Sequence, residues 1–252
     1  MNYFSVDDYK KNKSEIVELI KATHKWENNE GFIADGVINP FLYKDEILKM
    51  LIILGESYGY NKCKAVDIEQ QPKNDCMGLK APKVQSPRKI ASLLWMLHED
   101  IKRMGVLSPN DIPRLFKINK ENTNLLLASL EKVAWINVKK ASRDVGDNNN
   151  TKQSYSDIYQ NSIKNTQIIR MQIESIKPNL IIAVSDPVFD SLVDSKILGC
   201  EILNKKNIIQ ENEKKQKILF TSHPSYYKDW GYAGVYNKYL LIRNALKGSV
   251  FV

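Results

Sequence analysis

The chain has 252 residues, 43% of them hydrophobic, and carries 37 Lys and Arg against 29 Asp and Glu, a formal net charge of +8. That length can bury a full core without staples, and no apolar run approaches the roughly 18 residues a membrane-spanning helix needs. Three cysteines, Cys63, Cys76 and Cys200, form no Cys-x-x-Cys pair and are too few for a four-thiolate zinc or iron-sulfur site.

No metal and no cofactor is therefore expected. The opening MNYFSVDDYKK has acidic residues where a secretory leader has an apolar core, so a soluble, cytoplasmic monomer is expected. The basic balance raises the prospect of a polyanionic partner.

Residues 7–26 read as an amphipathic helix with Ile16, Leu19, Ile20 and Thr23 on one face, a packing helix within residues 1–30 of a single 1–252 domain. Residues 31–43 carry Asp-Gly and Asn-Pro turn signals and too little period for an element. Met50 to Leu54 form a continuous apolar run that suits a strand covered on both faces. It stops at Gly55-Glu56-Ser57-Tyr58-Gly59, and residues 61–85 then read as a long polar loop of the kind that often binds or covers a site.

Residues 86–105 predict a helix, with Pro87 in its first turn, a stripe of Ile90, Leu93, Leu94, Leu97, Ile101 and Met104, and Gly105 as its stop. Residues 111–120 read as irregular, 121–132 as a helix and 133–138 as a second buried strand containing Asn137. The polar stretch 142–154 reads as a surface loop. One long helix is expected over 156–177, stopped by Pro178, then a strand at 179–184 and a short helix opened by Ser185-Asp186-Pro187. Strands at 201–209 and 217–221 flank a polar turn at 212–216, and the last helix runs from about 232 to 247. Such alternation predicts an α/β fold with a largely parallel sheet and helices on both faces.

In open α/β sheets the ligand crevice lies at the carboxyl ends of the strands. Three loops at such ends carry Glu56, Asn137 and His223, an acid, an amide and an imidazole. The other two histidines, His24 and His98, lie on predicted helices beside charged residues and read as surface or boundary positions. An amide suits reading of a heterocycle's edge, and the acid and imidazole suit chemistry on it.

On these residues the chain resembles the uracil-DNA glycosylase-like superfamily over roughly residues 35–247. The likeness rests on Gly55-Glu56-Ser57-Tyr58-Gly59 after a buried strand, a strand ending in Asn137, the run QIESIKPNLIIAVSDPVFDSL, and His223-Pro224-Ser225 after the last strand. It implies a three-layer α/β/α sandwich around a four-stranded parallel sheet. It further implies base excision from DNA, without an iron-sulfur cluster. Glu56 would orient water or stabilise the cation-like sugar, and His223 would donate to the departing base. Asn137 would read the flipped base, in a pocket shaped by Gly55, Ser57 and Tyr58, while Ser225 would grip a phosphate.

Tyr226, Tyr227, Trp230 and Tyr232 bracket Lys228 in an aromatic-basic cluster suited to wedging into a duplex; packing beneath the last helix would explain the aromatics equally. Lys139, Lys140 and Arg143 would meet phosphate or form a solvated loop. Ser57-Tyr58 replaces the family's Ala-Pro, Asp-Pro or Asn-Pro step, which points to a reshaped pocket and a modified pyrimidine, such as phages install in their DNA. Two other readings stand beside this one. One is a binding or sensing module on the same fold. The other is a Gly-Asp-Ser-type esterase using Ser57, which lacks the expected aspartate because Phe220 stands three residues before His223.

Overall fold

The computed structural model describes residues 3–24, 33–55, 66–67, 86–117, 119–140, 155–199, 202–203, 206–224 and 227–250. Its helices, in chain order, are α1 (Val6–His24), α2 (Pro40–Asp45), α3 (Ser86–Arg103), α4 (Asp111–Phe116), α5 (Lys120–Leu130), α6 (Tyr155–Lys164), α7 (Thr166–Ile176), α8 (Asp186–Asp194), α9 (Tyr227–Trp230) and α10 (Tyr232–Ala245). The strands are β1 (Ile33–Ala34), β2 (Gly36–Val37), β3 (Met50–Leu54), β4 (Val66–Asp67), β5 (Ala134–Asn137), β6 (Leu180–Val184), β7 (Ile209–Glu211) and β8 (Lys217–Thr221).

The main sheet has six strands in the order β2-β5-β3-β6-β8-β7, and β1 pairs separately with β4. The four expected strands form its contiguous centre and are mutually parallel, but β2 and β7 add antiparallel edges. The sheet is therefore mixed and six-stranded, a correction to the four-stranded parallel sheet expected. Both edge strands are too short, at two and three residues, to show a period of their own.

Two separate cores explain why the central strands are apolar without interruption. Met50, Ile52 and Leu54 of β3 face one core with Leu180, Ile182 and Val184 of β6, packed under α3, α5 and α10. Leu51 and Ile53 face the other with Ile181, Ala183, Ile218 and Phe220, packed under α7 and α8. Successive side chains of a strand point to opposite faces, so β3 and β6 are apolar at every position. A buried aliphatic side chain contributes about 1.5–3 kcal/mol, so this centre supplies much of the fold's stabilisation.

Other expectations are corrected locally. The 156–177 helix is two helices, because the backbone turns at Asn165, whose buried Nδ2 donates to the Val138 carbonyl (2.8 Å) and whose Oδ1 accepts from His24 Nε2 (2.9 Å). Residues 111–116 form α4, and residues 31–43 contain β1, β2 and α2, the last capped by Asn39 with Pro40 in its first turn. The strand expected at 201–209 is corrected: residues 202–203 and 206–208 are not strand, and β7 begins only at Ile209, while 201, 204 and 205 lie outside the described residues. Among the described residues, no helix is long and apolar enough to cross a membrane.

Candidate active site at the carboxyl edge of the sheet

In chain order the four parallel strands stand second, first, third, fourth across the sheet. The crossover leaving β3 runs to β5 and that leaving β6 runs to β8, so the crossovers diverge between β3 and β6, the place where such sheets open a crevice. Ladder bonds continue past the strand ends: Val138 N–H donates to the Leu54 carbonyl (2.8 Å), Lys139 N–H to Gly55 (3.0 Å) and Ser185 N–H to Thr221 (2.9 Å). Gly55, Asn137, Ser185 and the loop after Thr221 thus lie along one edge. Three inter-strand spacings separate the ends of β5 and β8, about 14 Å.

Gly55 sits under α6. A Cβ there would come 3.0 Å from Ile158 Cδ1, so the loop starts at a position where glycine gives the closest approach. Ser185 holds φ +86°, a backbone region that costs an L-residue energy and that clusters at functional sites. Glu56, Ser57, Tyr58, Ser225, Tyr226 and Arg143 lie outside the described residues, as do the loops 61–65, 68–85 and 141–154. Glu56 follows Gly55 directly in the chain.

Asn137 is buried at the end of β5 and is fixed by Asp35. Its backbone N–H and its side-chain Nδ2 both donate to Asp35 Oδ2, the latter at 3.3 Å. That bond sets the amide's orientation, and among the described residues Asn137 Oδ1 has no hydrogen-bond partner. A buried, unpartnered acceptor costs about 1–3 kcal/mol, and a ligand that offers a donor would relieve it.

No protein-family model, curated protein or solved structure matches the chain.

Asp35 was legible only as part of a turn, yet it is the hub of this side. Its carboxylate accepts from Lys140 Nζ (2.8 Å) and Gln172 Nε2 (2.7 Å) as well as from Asn137. Lys140 is fully buried in that ion pair. The expectation that Lys140 meets a phosphate is therefore corrected: desolvating an ammonium is tolerable only beside a carboxylate, and this one is already bound. Lys139 is largely covered, 3.2 Å from Asp157. Behind Asp35, a small cavity between α1 and α7 has room for about one water.

His223 is half-buried after β8, and its pKa lies below the ordinary histidine value because of burial first and the Lys89 ammonium second. Both effects favour the neutral ring. The loop is held from two sides. Lys89 of α3, itself buried, donates to the Pro224 carbonyl (2.8 Å). On the other side the Ser222 hydroxyl donates to Asp229 Oδ2, and Trp230 Nε1 donates to the Ser222 carbonyl (2.8 Å).

Trp230 is completely buried and carries the Lys238 ammonium over its ring at 4.9 Å. It is part of the clamp beneath α10 and not a wedge, while Tyr232 is half-exposed and packs edge-on against Phe116. Lys228 is exposed on α9; Tyr227 opens that helix, and its side chain lies outside the described residues. His98 is buried and not a boundary residue.

Sequence reasoning missed Asp35, Lys89 and Asp229. Lys89 had a signal: it stands four and seven residues before Leu93 and Met96, on the buried stripe of its helix. Asp35 had none, since Lys140 and Gln172 are 105 and 137 residues away.

Proposed function

We propose that the protein is a DNA glycosylase that hydrolyses the N-glycosidic bond of a flipped-out uracil or modified pyrimidine and leaves an abasic site. The observation that carries this reading is that the Gly55, Asn137 and His223 strand ends lie along one edge of the parallel centre of the sheet. Breaking the bond puts positive charge on the sugar and negative charge on the base. The reaction therefore needs a carboxylate on one side and a fixed donor on the other. Glu56, next after Gly55, supplies the carboxylate and orients the attacking water.

Neutral His223 donates to the base as it leaves. Asn137, held by Asp35, offers Oδ1 to a donor on the base's pairing edge. The basic chain meets the phosphates, with Lys228 exposed beside the His223 loop and Ser225 following Pro224. The protein acts as a monomer without a cofactor, on DNA carrying a base that Tyr58 helps to select. A cytoplasmic role in defence against phages with modified DNA fits that choice of substrate.

The test is an abasic-site assay on DNAs carrying uracil, hydroxymethylated, glucosylated and otherwise modified pyrimidines. Alkali-dependent strand breakage is expected with at least one base, and His223→Ala and Glu56→Gln should each lower its rate about 100–1000-fold. No breakage with any base, while DNA remains bound, would favour a non-catalytic binding module instead.

A further inference from the structure

Lys89 occupies a position that helix stability does not explain. It lies in the first turn of α3, where the positive end of the helix dipole opposes a cation, and it is buried, so desolvation opposes the charge as well. Neighbouring Arg88 is also buried, but it turns the other way, donating to Thr123 Oγ1 (2.6 Å) and the Leu115 carbonyl (3.3 Å), and ties α3 to α4 and α5. Lys89 instead reaches the loop after β8.

We propose that Lys89 is a positioning residue for His223, its ammonium gripping the Pro224 carbonyl so that the imidazole is held at the strand end beside a fixed positive charge. The consequence for catalysis rests on the glycosylase reading. A positive charge close to the imidazole disfavours its second proton, so the ring stays a neutral donor, and the same charge favours the base anion that the ring serves. The lowered pKa of His223, with burial as its first cause and Lys89 as its second, agrees with that placement.

The other charged groups around the loop are arranged differently. Asp229 of α9 is engaged by the Ser222 hydroxyl, and Lys238 of α10 donates to the Asp229 carbonyl. The carboxylate thus holds the loop's start while Lys89 holds its end. Both anchors come from elements packed against the same core, and the loop between them is three residues, Ser222-His223-Pro224.

The test uses the full chain with carbon-labelled histidine, followed by NMR through a pH titration; the three histidines give few enough signals to assign with His223→Ala. In Lys89→Met the His223 midpoint should rise by about one pH unit. In Lys89→Arg, which keeps charge and donor, it should stay within a few tenths of wild type. On whichever base the wild type excises, Lys89→Met should lower kcat about 10–100-fold with KM nearly unchanged, and Lys89→Arg should recover most of the loss.

An unmoved midpoint in Lys89→Met overturns the inference whether or not any base is excised. A midpoint that moves in a protein excising no base supports the Lys89 assignment and removes the glycosylase reading alone. Should Lys89→Met fail to fold, Lys89→Gln replaces it, with the same midpoint deciding.

Discussion

At the scale of single residues, the candidate site depends on a buried ion pair that touches no substrate. Asp35 and Lys140 are both fully covered, and Asp35 also orients Asn137 and Gln172. Removing one partner leaves the other's charge buried, so Lys140→Met should destabilise the fold by about 3–5 kcal/mol in denaturant unfolding. The double change Asp35→Asn with Lys140→Met should recover much of that loss.

His98 gives a second test at this scale. Burial, helped by the Lys132 ammonium, lowers its pKa to about 3. The unfolded chain binds the proton at an ordinary value near 6.5, so between these values it holds more protons than the folded chain. Stability is therefore full above about pH 6.5 and is lost as the pH falls toward 3. In His98→Leu, thermal unfolding across that range should show a visibly shallower decline; an identical decline would rule out a large role for His98.

At the scale of elements, what was legible was whatever carried its own signal. The strands at Met50, Ala134, Leu180 and Lys217 showed as apolar runs because helices cover both faces, and Pro87, Pro178 and Pro187 marked real helix boundaries. What was not legible depends on tertiary partners. The edge strands β2 and β7 exist by pairing with β5 and β8, and the break between α6 and α7 follows from the bonds of Asn165 to Val138 and His24. In the site, the strand ends of Asn137 and His223 could be read from their motifs. The hub at Asp35 could not, because its partners are distant in sequence.

The clamp of α9 and α10 around the His223 loop also sits at this scale. Gly234 lies so close to α9 that a Cβ would fall 2.2 Å from the Asp229 carbonyl oxygen. That oxygen belongs to backbone and also accepts from Lys238, so it cannot swing away as a side chain would. Gly234→Ala should cost about 1–3 kcal/mol of stability. Because Asp229 anchors Ser222, the same change should reduce base excision more than it reduces DNA binding. Equal activity at full stability would contradict the close packing.

At the scale of the whole molecule, the parallel centre of the sheet does the organising. It carries an amide locked by a carboxylate on the β5 side and an imidazole whose pKa burial lowers on the β8 side, with the Gly55-Glu56 step between them in strand order. The chain as a whole carries an excess of eight positive charges, which suits a phosphate-bearing substrate. Binding strength set by that charge should fall steeply with salt, whereas discrimination between bases should not.

The most direct measurement is mass-spectrometric detection of free base released from modified-pyrimidine and uracil-containing DNA under single-turnover conditions. The account predicts one free base appearing in step with abasic sites, and its loss in His223→Ala. DNA that is bound tightly while every base stays attached would contradict it.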